Sequence, residues 1–90
     1  MKVVLNKCYG GFSLSNVAAD ILGISEYGIV DRTDSALIEM IEEKGSELVS
    51  GRCAKLKIVN IPDNITDWVI DEYDGIERII YVENGHLGFA

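Results

Sequence analysis

The run Lys7-Cys8-Tyr9-Gly10-Gly11-Phe12-Ser13-Leu14-Ser15 holds the residue types in this sequence best suited to chemistry. A glycine pair between an apolar stretch and a helix start frees backbone N–H groups to face a ligand, and the positive helix end favours an anion. Lys7 adds a full charge, and Ser13 and Ser15 add hydroxyls. The chemistry expected at Lys7, Gly10, Gly11, Phe12, Ser13 and Ser15 is therefore the binding of a phosphate or carboxylate. No Gly-Lys-Ser/Thr closes the loop as in a Walker A sequence, and the G-x-G-x-x-G spacing is missing. The plainer use of the same residues is structural: the glycines permit a turn and the serines cap a helix.

Cys8 lies beside the same helix start, where a thiol becomes more acidic, and His86 is the one histidine available as its base. No third group is indicated, and buried cysteine is common, so no catalytic residue is assigned and the chain is not expected to be an enzyme. Cys53 reads as packing. Asp71, Glu72, Asp74 and Glu77 surround an Asp74-Gly75 dipeptide, but their spacing fits no EF-hand loop, and neither a metal nor a cofactor is expected. A solvated acidic hairpin is the simple reading. The sharper one makes Asp71, Tyr73, Asp74 and Glu77 a docking surface for a basic partner. Trp68, Tyr73 and Tyr81 read as sheet aromatics, and exposure of two or more would mark a contact face.

The elements that must position these groups follow from periodicity and punctuation. Lys2 to Asn6 is a strand, and a helix from about Ser15 to Leu22, with Val17, Ala18, Ile21 and Leu22 on one face, stops at Gly23. Ile24 to Asp31 is a connection anchored by Tyr27. Thr33 or Asp34 caps a second helix with Leu37, Ile38 and Ile41 inward and Glu39, Glu42 and Glu43 outward, ended by Gly45. Ser46 to Gly51 adds a turn. A strand around Leu56 to Ile61 ends at Pro62, and two strands flank Asp74-Gly75, the dipeptide suited to a type I′ turn; Asn84-Gly85 repeats that signal before His86 to Phe89. The predicted fold class is α+β: two short helices on a four- or five-stranded mixed sheet, in the order β-α-α-β-β-β(-β), with the first strand returning parallel to the second.

Four stretches resemble a family of short proteins encoded by phages, prophages and their hosts. They are Asn6 to Ser15, with K-C-Y-G-G-F-x-L-S; Arg32 to Ile38 continuing to Glu42-Glu43-Lys44-Gly45; Ala54 to Val59 and Ile61 to Asp63; and Ile70 to Glu77, with E-Y-D-G-x-E. Together they cover more than half of the chain. Many relatives end in a basic, aromatic tail, where this sequence runs Asn84-Gly85-His86-Leu87-Gly88-Phe89. The resemblance implies no activity, only a setting in which small acidic proteins act on host machinery or antiviral defence.

Composition bounds the rest. Fifteen Asp and Glu against eight Lys and Arg give a net charge of −7, which disfavours direct nucleic-acid binding. The acid is concentrated between Asp63 and Glu83, where seven carboxylates face one base, Arg78. Elsewhere Arg52, Lys55 and Lys57 lie close together, so a small anion could find a positive pocket. With 48% hydrophobic residues in 90, one thin-cored domain spanning 1–90 is expected, helped by assembly into a homo-oligomer. No secretion signal or membrane-length apolar run is present, so a soluble protein of the bacterial host cytoplasm with free thiols is expected. The function expected on these grounds is non-enzymatic: sequestration of a small anionic ligand, such as a nucleotide signal, against host defence. The alternative is an acidic inhibitor docking on a basic host protein or nucleic-acid-binding surface.

Overall fold

The computed structural model describes residues 1–25 and 30–90; Tyr27, the expected anchor, and Gly28 lie outside them. The elements are β1 (Lys2–Asn6), α1 (Asn16–Leu22), α2 (Ser35–Lys44), α3 (Ser46–Val49), β2 (Leu56–Asn60), β3 (Trp68–Tyr73), β4 (Ile76–Glu83) and β5 (His86–Phe89). The fold is α+β.

Two features of the expected architecture need correction. The strands form two sheets rather than one mixed sheet, a β1–β2 ribbon and a β3–β4–β5 meander, and every pairing is antiparallel. The parallel return fails because the helical crossover hands the chain back at the end of β1 where it left. Ser15 donates its N–H to the Val49 carbonyl, Gly51 donates to Ser13, and Lys7 donates to Lys55, each at 2.8–2.9 Å. The end of α3 is thereby tied to the start of α1, and β2 enters opposite Asn6, in the register Asn6↔Leu56 to Lys2↔Asn60. Pro62 then takes the chain off the ribbon, since it has no N–H to continue the ladder.

Local chemistry sets the helices. Ser15 Oγ accepts from Ala18 N–H at 3.1 Å to cap α1, and Gly23 ends it in the left-handed region at φ 70°. Asp34, the capping residue of α2, accepts from Leu37 N–H at 3.0 Å. The buried face of α2 is the expected one with Met40 added. That of α1 is not: Ala18 and Ala19 are buried whereas Val17 and Ile21 are exposed. The small alanines let α1 approach the layer beneath closely.

Strand alternation then builds a three-layer molecule with the ribbon in the middle. Val4 and Leu56 point to the helices and join Leu14, Ala18, Leu37, Ile41 and Val49. Val3 and Leu5 point the other way and join Ile61, Ile65 and Ile79, with Trp68, Ile70 and Tyr81 at the margin. The first layer is helical and the third is the meander.

The Met1 amino group pairs with the Asp63 carboxylate where the ribbon ends. Its hydrogen bond and then its charge hold the Asp63 carboxyl below its ordinary value. A depressed carboxylate contributes stability that is present above its unfolded value, about 3.9, and is lost as pH falls through the folded value. The Asp63 midpoint by carboxyl-carbon NMR should therefore lie below that of an ordinary aspartate, and acetylating the Met1 amine should return it toward the ordinary value.

Candidate functional site

Asn6, the last residue of β1, fixes the Gly10-Gly11 loop in place. Fully buried, it donates from Nδ2 to the carbonyls of Cys8 and Gly75 at 2.6 Å each, and its Oδ1 accepts from Lys55 N–H at 2.8 Å. One side chain thus joins the loop, the hairpin turn and the approach to β2. The Asn6 N–H donates to Glu77 Oε1 at 2.7 Å, and Arg32 grips the same carboxylate with both terminal nitrogens at 2.6 and 2.9 Å. The Arg32 guanidinium lies 3.7 Å from the Phe12 ring centroid. Lys7 Nζ donates to the Glu77 carbonyl at 2.5 Å.

The two sets of candidate residues, loop and hairpin, are therefore neighbours. A Cβ on Gly75 would overlap the Tyr9 carbonyl and the Gly11 nitrogen, and one on Gly10 would overlap Cys53. Gly11 has φ +86° and open space above its α-carbon. Most of the expected anion-binding groups have structural duties. Ser15 caps α1 and donates to the Leu48 carbonyl at 2.7 Å, Phe12 stacks on Arg32, and Lys7 is bonded to the strand beside it. Ser13 is a correction: it is buried against Gly51, where a Cβ would collide with its hydroxyl, so it does not face a ligand.

On the hairpin, Asp74 and Gly75 have φ 52° and 90°, the two positive values that a type I′ turn needs. Asp74 and Tyr73 are exposed, as is Asp71, which accepts from Arg78 Nε at 2.9 Å. Glu77 is the second correction: only 6% exposed and neutralised by Arg32, it is part of the interior rather than of a docking face. Its parity along β4 with Ile79 and Tyr81 was the signal that marked it as inward. Glu72 is turned back to the Gly75 N–H. The acidic run is thus largely committed to local bonds.

Two cavities border the loop. One, about 490 Å³, is lined by Lys7 and Tyr9 from the loop and by Asp71, Glu72, Tyr73, Ile76, Glu77 and Arg78. The other, about 650 Å³, is lined by Cys8, Ser46, Glu47, Ser50, Gly51, Arg52, Ala54, Lys55 and Lys57. Its floor is rigid, because Ser46 Oγ donates to the Leu56 carbonyl at 2.5 Å and Ser50 Oγ accepts from Leu56 N–H at 2.9 Å. Leu56 turns inward, so the period of two in an extended chain leaves Lys55 and Lys57 together on the other side. Among the described residues, no carboxylate lies within ion-pair distance of Arg52, Lys55 or Lys57; Lys2, Arg32 and Arg78 each have one.

No family model, curated protein or solved structure matches this chain. No cluster of three or more His, Cys, Asp and Glu that could hold a metal occurs among the described residues. His86 stands opposite Glu83 on the meander, and no hydrogen bond joins it to Cys8. Among the described residues, no helix is long and apolar enough to cross a membrane. The clustering of Arg52, Lys55 and Lys57 was visible in the sequence, but not that the turn after α3 would fold them around the wall that holds Cys8.

Proposed function

We propose that this chain is a non-enzymatic binding protein that captures a small anion in the cleft of Arg52, Lys55 and Lys57. The carrying observation is that three of its eight bases converge there without an acidic partner, against Glu47 alone, on a molecule of net charge −7. A cavity of about 650 Å³ suits a ligand of nucleotide size. The Gly10-Gly11 loop serves the cleft from behind, presenting Cys8 while its glycines allow close packing on Cys53 and Gly75. The resemblance of the loop and hairpin strings to phage-type proteins extends the reading: the anion is a nucleotide signal of host defence, held rather than turned over.

Calorimetric titration with ADP and with inorganic pyrophosphate tests this. Each charge-assisted contact is worth about 1.5 kcal/mol or more, which is roughly tenfold in affinity. Arg52→Gln with Lys55→Gln and Lys57→Gln should therefore weaken binding by about 100-fold or more, while Lys44→Gln, at the exposed end of α2, should leave it unchanged. The affinity of the parent should also fall steeply with salt. Absence of binding to both probes at about 1 mM, or equal binding by the triple variant, would overturn the reading.

A further inference from the structure

The three-layer order leaves one sheet face without a cover. The meander packs on the ribbon through Ile70, Ile79 and Tyr81, so the residues of opposite parity point away from the molecule. Strand register places them in rows: Tyr73 with Ile76, Asp71 with Arg78, Val69 with Ile80 and Phe89, and Val82 with Leu87. Tyr73 is 76% exposed, Leu87 66%, Val69 58% and Phe89 56%. At about 4.8 Å between strands and about 3.3 Å per residue, three strands and the eight residues of β4 give a footprint of roughly 14 by 26 Å. An apolar patch of several hundred Å² is at the size that marks a contact surface on a small protein.

Charge decides what fits it. On a chain of net charge −7, these four rows contain one acid and one base, and the two neutralise each other at 2.9 Å. The Arg78 guanidinium also lies 5.1 Å from the Phe89 ring centroid, which holds the base on this face. Within the rows these charges cancel, and Asp67, exposed beside Val82, adds one acid at the margin, so the face is far less acidic than the Asp63–Glu83 run as a whole. The face is complementary to itself, with an ionic row between apolar rows. A two-fold rotation about an axis running along the strands between β3 and β4 sets Asp71 against Arg78 of the second copy, and Arg78 against its Asp71, while the Tyr73–Ile76 and Val69–Ile80 rows meet their own counterparts and β5 flanks the contact.

We infer that the outer face of the β3–β4–β5 meander is a two-fold interface with a second copy of this chain. The limited footprint, about 360 Å² per copy, places the association among weak, transient contacts, in the micromolar range or weaker. The contact is separate from the anion cleft, whose lining residues include none of the meander.

Sedimentation equilibrium of the full chain between about 1 µM and 1 mM tests it, with circular dichroism confirming the fold of each variant. The parent should dimerise, and Val69→Lys with Leu87→Lys should raise the dissociation constant by 100-fold or more. These changes bring the net charge from −7 to about −5, so a loss of dimer cannot come from a larger overall repulsion. A charge exchange supplies the second arm. Asp71→Arg leaves two bases on the face and Arg78→Asp leaves two acids; each alone should be monomeric at about 100 µM, and an equimolar mixture should form a heterodimer. A parent monomeric at about 1 mM would overturn the inference. So would a dimer that survives the lysine substitutions, or a mixture of the two charge variants that fails to associate.

Discussion

Glu77→Gln should destabilise the protein by about 3 kcal/mol, lowering the urea midpoint by about 2 to 3 M for a domain of this size. The carboxylate is 6% exposed and accepts three hydrogen bonds, two from Arg32 and one from Asn6 N–H. Glutamine keeps the volume but removes the charge, leaving the Arg32 guanidinium uncompensated with its side chain only 19% exposed. One amide nitrogen would also point at a donor. Because Arg32 keeps some contact with water, the loss belongs at the lower end of the 3 to 5 kcal/mol typical of broken buried pairs. A shift below about 1 kcal/mol would show that the pair is dispensable and that the loop is held to the hairpin by other contacts.

Gly75→Ala should cost more than 3 kcal/mol, and Gly85→Ala only about 1 kcal/mol. Both glycines occupy the second position of a two-residue turn at positive φ, 90° and 78°, so both alanines suffer the left-handed penalty of about 1 to 2 kcal/mol. They differ in surroundings. A Cβ at Gly85 meets nothing within 4 Å, whereas one at Gly75 overlaps the Tyr9 carbonyl and the Gly11 nitrogen. Backbone atoms have no rotamer by which to move aside, so the whole loop must lift from the hairpin, breaking the Asn6 bond to the Gly75 carbonyl. Chemical denaturation of the two variants side by side separates collision from strain. Equal losses would mean that the loop yields without cost.

These contrasts show where the sequence was readable. The type I′ turns at Asp74-Gly75 and Asn84-Gly85 were legible because only a few residue pairs tolerate two positive φ angles. Helix α2 was legible because its cap, its apolar face and its terminating glycine all agree. Strand pairing was not: Val3 meets Val59, and nothing local to either records the other's direction. Asn6 read only as the last residue of the first strand, since its three side-chain partners lie at Cys8, Lys55 and Gly75. For the site, the loop and hairpin residues were singled out, but their adjacency, and the structural bonds that take up most of them, belong to the tertiary structure. The cleft needed the turn after α3 to gather Arg52 with Lys55 and Lys57.

The middle position of the ribbon also governs how this chain acquires its structure. Each layer interface uses one face of β1, and β1 has no partner until the residues from Leu56 to Asn60 arrive, some fifty positions later. Neither core can close before that long loop does, and its closure entropy is met before any long-range contact rewards it. The helices have local contacts but lack the surface that covers their apolar sides, and a nascent chain shorter than about sixty residues has no ribbon at all. Folding should therefore be a single slow, cooperative event, in milliseconds or longer, with no separately stable half. Hydrogen exchange should show the same cooperativity: the amides of Val3, Val4 and Leu5 should exchange only through global opening, and all three at one common rate.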